Sequence, residues 1–128
     1  MPALPPLLNV ENPAETMRRA AALMRDRAGT ASPGPWHQMC MGSDGCQVLN
    51  DGRLRERKHV SFSGRKEWKA DHADAEHIAS WHPLVALAVA DWLDNEAVNA
   101  PGPGDVYLRG GRIAYALTVA CAYLGEGR

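Results

Sequence analysis

The sequence predicts an α+β fold: a three-stranded antiparallel β-meander with an N-terminal helix before it and C-terminal helices packed on one of its faces. Three observations carry that prediction. Apolar residues recur at three- and four-residue spacing early in the chain and again in its last third, as helices with one buried side require. Between those stretches, Gly42-Ser43-Asp44-Gly45 and Asn50-Asp51-Gly52 punctuate short extended runs in the manner of hairpin turns. The 128 residues are 45% apolar and 23% charged, a balance that supports one modest core and one domain over residues 12–128.

Residues 1–11 form a Pro-rich lead expected to run extended. Asn12 is a good helix cap, Pro13 fits the first turn and Glu15 follows three residues after the cap, so the first helix begins there and ends near Gly29. Its inner face is Met17, Ala20, Ala21, Met24 and Ala28, while Arg18, Arg19, Arg25 and Asp26 point largely elsewhere. The strands follow from Trp36 to Phe62. In the last of them Leu54, Glu56, Lys58, Val60 and Phe62 share one parity and Arg53, Arg55, Arg57, His59 and Ser61 the other, which calls for a bulge.

The polar stretch Ser63-Gly64-Arg65-Lys66-Glu67-Trp68-Lys69 reads as an irregular loop. A second helix is expected from Asp71 to Trp81. Pro83 opens a third, with Val85, Val89 and Trp92 on one stripe widened by Leu84, Leu87, Ala88 and Leu93. After the break Asn99-Ala100-Pro101-Gly102-Pro103-Gly104, a last helix at 110–125 carries Ile113, Leu117, Ala120 and Leu124 on one face. It either completes the core or forms an oligomer interface. Trp81, Trp92, Tyr115 and Tyr123 are more aromatic surface than so short a chain readily buries, which favours a homo-oligomer.

Three segments, Ser32-Pro33-Gly34-Pro35-Trp36, then Asp74-Ala75-Glu76-His77-Ile78-Ala79, then His82-Pro83-Leu84-Val85-Ala86-Leu87, give the chain a recognisable order. Their order and separation, over roughly residues 12–98, resemble the Ead-like small accessory proteins of phages and prophages and their actinobacterial relatives of unknown function. The resemblance implies a non-essential accessory role in a phage or prophage and carries over no catalytic residue. Residues 101–128 lie beyond it.

Charge excludes some partners. Fourteen basic residues against fifteen acidic ones leave a net charge of −1, so no global field recruits nucleic acid or an anionic membrane, and any nucleic-acid contact must rest on a local patch. The first residues lack the basic region and apolar run of a secretory signal, and no apolar stretch is long enough to span a bilayer. The expectation is a cytoplasmic protein, and the three cysteines are then expected as thiols. Cys121, within an apolar helical run, reads as a core residue.

Chemistry-bearing side chains fall into two groups. Cys40 and Cys46 flank the Gly-rich turn, with His37 just before and His72, His77 and His82 further on. Thiolate and imidazole groups are the ligands of tetrahedral zinc, so Cys40, Cys46, His37 and His72 are candidate ligands. Against this, the Cys-x5-Cys spacing is wider than that of a zinc knuckle, and two histidines five residues apart do not share a helix face. A structural, hydrogen-bonded role is expected for His77. A nucleophile reading would use Cys40 or Cys46 with His37, or an Asp74–His77 pair, but no oxyanion hole or third member is identifiable, and the chain has no P-loop, dinucleotide fingerprint or His-Glu-x-x-His motif.

The second group is Arg53, Arg55, Arg57 and His59 on a strand, with Arg65, Lys66 and Trp68 in the loop after it. Guanidinium groups pair with phosphate and an indole stacks on a base, so this is the candidate surface for a phosphorylated small molecule or a host protein. The plainer reading of the same residues is a solvated strand face with Trp68 folded over the core. Two functional expectations result: a non-enzymatic accessory protein that works by binding through this surface, or a small zinc-stabilised module or hydrolase built on the cysteines and histidines.

Overall fold

The structure, a computed structural model, describes residues 8–40, 46–50, 59–63, 68–104 and 106–126. Its architecture is mixed α and β, in the order β1 (Leu8–Val10), α1 (Pro13–Thr30), β2 (Trp36–Cys40), β3 (Cys46–Asn50), β4 (His59–Ser63), α2 (Trp68–Ser80), α3 (Pro83–Ala97), β5 (Val106–Leu108) and α4 (Gly111–Leu124). These elements group into two compact units, Met1–Arg25 with Ala88–Arg128, and Asp26–Leu87.

The first unit is built on alanine. Asn12 caps α1 through its side chain, Oδ1 accepting the Glu15 N–H at 3.2 Å, and the Ala14 N–H, another of the donors a helix start leaves unsatisfied, reaches the Pro101 carbonyl at 3.0 Å. Thus the Pro/Gly break after α3 serves the start of α1. Met17, Ala20, Ala21 and Met24 form the inner stripe of α1 with no exposed surface at all. They pack in one cluster with Ala90, Leu93 and Ala97 of α3 and Ala114, Ala116, Leu117, Ala120 and Cys121 of α4. So many small side chains permit close backbone approach, and Met17, Met24, Leu93 and Leu117, all fully buried, fill what remains at about 1.5–3 kcal/mol each. The last helix therefore completes this core.

In α3 the buried stripe is not the expected one. Val85 and Val89 are half-buried, and Trp92, Leu84 and Leu87 are 38%, 53% and 39% exposed, whereas Ala86, Ala90, Leu93 and Ala97 are buried. The helix turns its narrow Ala face inward because close packing against other Ala-lined helices excludes an indole. Trp81 and Tyr115 are also exposed. Arg25 clasps Asp91 and Asp94 of α3 with its two terminal nitrogens, and the Arg112 Nε lies 2.7 Å from an oxygen of the buried Glu96.

Two short strands complete this unit. Within the lead, Leu8 and Val10 are buried and Asn9 exposed, the period-two pattern of a strand. β1 pairs antiparallel with β5, Leu8 opposite Leu108 and Val10 opposite Val106. At the far end of α4, Gly125 takes the left-handed conformation (φ 73°, ψ 27°), and the N–H groups of Gly125 and Glu126 return to the carbonyls of Ala122 and Cys121 at 3.3 and 2.9 Å. That turn aims Glu126 at α1, where its carboxylate accepts both Arg19 terminal nitrogens at 2.8 and 3.0 Å.

The second unit holds β2, β3 and β4, hydrogen-bonded in that order. Trp36 faces Asn50 and Cys40 faces Cys46 across the first antiparallel pair. The β3–β4 register shifts between Val48 and Leu49. α2 starts at Trp68, so Trp68 and Lys69 are helical and not in an irregular loop. Trp68-Lys69-Ala70 contains no Gly or Pro, and nothing in it resists continuing the helix backward from Asp71. The Pro-Gly-Pro segment before β2 meets the start of α3: a Cβ built on Gly34 would lie 2.8 Å from His82 Nδ1 and 3.4 Å from Pro83 Cδ. Any added side chain there would have to displace the His82 ring.

Two outcomes follow. Gly34→Ala should lower the urea midpoint, costing about 1–3 kcal/mol as an overpacked contact, and His82→Ala in the same chain should return part of the loss; two independent, additive losses would refute the contact. The Arg19 hydrogen bonds hold the Glu126 carboxyl below the usual carboxylate range, so its contribution is present above the unfolded value of about 4.3 and disappears as pH falls through the folded one. Glu126→Gln should therefore differ from the parent in thermal midpoint at pH 7 and converge with it in acid, the gap being small because the pair is exposed.

Candidate functional site

The site is set by sheet parity and one helical stripe. In β2, Trp36, Gln38 and Cys40 share a face, and register places Cys46 and Val48 of β3 on that same face. α2 covers it: Cys46, Val48, Ala75 and Ala79 form a buried cluster, with Trp36, Cys40 and Ile78 packed against it. Trp36 is anchored by its Nε1–H, which donates to the Ser32 carbonyl at 2.9 Å. His72 stands three residues before Ala75 and seven before Ala79, on the stripe that meets the sheet. Helix and hairpin thus bring His72 to Cys40, its Nδ1 3.2 Å from the sulfur.

Cys40 and Cys46 are joined by a disulfide, which corrects the expectation of thiols. The reason is local. The two residues are directly opposed in the ladder on one face of the sheet, where cross-strand Cβ atoms lie about 4.5–5.5 Å apart. Such a bond closes a short loop, six residues of separation, and restricts the unfolded chain by about 2 kcal/mol. The two sulfurs differ in environment: Cys46 has no exposed surface, whereas Cys40 is only partly covered.

The ligand atoms of Cys40, Cys46 and His72 all lie within 4.8 Å of one another. On its other side, His72 Nε2 is 2.6 Å from Glu76 Oε1, one helical turn on. An imidazole held between a sulfur pair and a carboxylate has its ring plane and its proton-bearing nitrogen fixed by the carboxylate. Glu76 was not among the residues singled out from sequence. Its signal was present in the i,i+4 spacing from His72.

The other candidates are distributed differently. His37 alternates with Cys40 in β2, lies on the opposite face of the sheet and is not in the cluster, so it is removed from the ligand set. His77 is exposed, not half-buried, because it falls off the Ala75/Ala79 stripe. Arg53, Arg55, Arg57, Arg65 and Lys66 lie outside the described residues. His59 opens β4 and Trp68 opens α2.

In the first unit, a cavity of about 340 Å³ is lined by Asn12, Thr16, Arg19 and Glu126 among others, with Cys121 on its wall. Arg19 and Glu126 satisfy each other there, and Asn12 caps the helix. Burial pushes the Cys121 thiol up, as befits a core residue. Among the described residues no helix is long and apolar enough to cross a membrane. Compared with known proteins, the chain matches no family model, no curated protein and no solved structure.

Proposed function

We propose that this protein is a small metal-binding module in which Cys40, Cys46 and His72 hold a thiophilic divalent ion, zinc foremost, when the two cysteines are reduced. The convergence of the three donors, with Glu76 behind His72, is the observation that carries the reading. Two thiolates and an imidazole are soft donors that suit zinc, and a histidine ligand ordinarily gives its second ring nitrogen to a carboxylate, as His72 does to Glu76. Zinc bound there would tie the β2–β3 hairpin to α2 and stabilise the unit as binding energy becomes folding energy. With three protein donors, one coordination position would be left for water, the arrangement a hydrolase would need; the residues around it name no substrate.

Native mass spectrometry of reduced protein, against its denatured mass, tests this. One zinc per chain is expected, absent in Cys40→Ser and bound about 10–100-fold more weakly in Glu76→Gln. Reduced, folded protein that takes up no zinc would overturn the reading.

We also propose the accessory-protein role that the phage-like motifs imply, with the Arg-rich surface meeting a host protein or a phosphorylated ligand. What favours it is placement in sequence: Arg53, Arg55 and Arg57 precede β4, while Arg65 and Lys66 lead into Trp68 at the start of α2, and helix starts favour anions. Exposed Tyr115 on α4 suits a homo-oligomer. A folded variant carrying Arg55→Glu and Arg57→Glu should lose binding to phosphorylated probes in a filter or calorimetric assay; unchanged binding would dismiss this surface.

A further inference from the structure

We propose that the Cys40–Cys46 pair exchanges with small aliphatic thiols and disulfides, Cys40 being the sulfur that meets the external reagent and Cys46 the one that resolves. The proposal uses the same two cysteines as the metal reading but does not depend on it, because exchange requires no ion.

Exposure and register carry the argument. Thiol–disulfide exchange is an in-line displacement, so the reagent needs open approach to the sulfur it attacks. Cys46 is fully buried under Ala75 and Ala79 of α2, which closes that approach. Cys40 ends β2 and is only partly covered, flanked by His72 and by Gln38, whose Oε1 is 3.3 Å from the sulfur. Ladder pairing sets Cys46 directly opposite Cys40, and if that pairing persists in the dithiol the resolving sulfur lies within reach.

The steps balance. Starting from the dithiol, the Cys40 sulfur attacks one sulfur of a small disulfide RSSR, a new S–S bond forms between them as the RS–SR bond breaks, and the other half leaves as RS⁻ and takes up the Cys40 proton as RSH. The Cys46 sulfur then attacks Cys40 Sγ, the Cys40–Cys46 bond forms, and the second RS⁻ departs and collects the Cys46 proton. Two electrons pass from the protein dithiol to RSSR, giving protein disulfide and two RSH. Reduction by excess small thiol is the reverse, entered again at Cys40.

The experiment uses the full chain with a chelator present and oxidised glutathione as the probe. Reduced parent protein should become disulfide with no lasting adduct, Cys46→Ser should retain one glutathione on Cys40 by peptide mapping, and Cys40→Ser should react at position 46 at least about tenfold more slowly, as access dictates. Because either variant could fold poorly, acid-quenched parent protein is mapped as well, and the transient mixed disulfide should sit on Cys40. A parent that stays dithiol, or a mixed disulfide found on Cys46, would overturn the proposal. Exchange without zinc uptake would remove the metal reading alone, and zinc uptake without exchange would remove this one alone.

Discussion

The second unit depends on how near α2 can come to the sheet. Ala75 and Ala79 present only methyl groups to Cys46 and Val48, and the helix settles close enough for His72, on the same stripe, to touch a sulfur. Side chains one turn apart on a helix act together, so a larger residue at either alanine would lift the whole stripe. Hydrophobic packing here positions polar chemistry. The imidazole gains a fixed direction from Glu76 on the solvent side and from the cross-linked cysteines on the sheet side.

The first unit uses the same device to build its core. Its Ala-lined helices close over four fully buried large side chains, while Trp92 and Tyr115 stay largely outside. Among the described residues, ion pairs surround this core without entering it, apart from Glu96, whose buried carboxylate is met by Arg112. Exposed pairs such as Arg19–Glu126 contribute little in water. Their value lies in fixing where chain ends and turns are held, as Gly125 and Glu126 show at the end of α4.

Much of this was legible in the residues, for reasons that differ from element to element. The Asn12 cap, the α1 stripe and the Pro83 start are local signals, and local geometry realises them. Side-chain size misled in α3, because hydrophobic bulk at Val85, Val89 and Trp92 suggested a core stripe, whereas the packing distance was set by alanines on three helices. β1 and β5 are three residues each and pair across nearly a hundred positions, so no local pattern announces their pairing. At the site, Cys40, Cys46 and His72 were named, yet their bond and the role of Glu76 were not. Direct opposition in the β2–β3 ladder is the feature that makes the two cysteines a cross-strand pair, and parity is what excludes His37.

The disulfide and the metal reading compete for the same electrons. A sulfur bonded to another sulfur has no thiolate to give, and metal ligation requires the thiolate. Occupation of the site by zinc would therefore protect the dithiol, and oxidation would release the ion, each stabilising its own form by mass action. With the cysteines bonded, the α2 stripe and Glu76 already hold His72 beside them. On the two proposed readings together, the helix would supply the constant partner and the bond across β2 and β3 would be what changes.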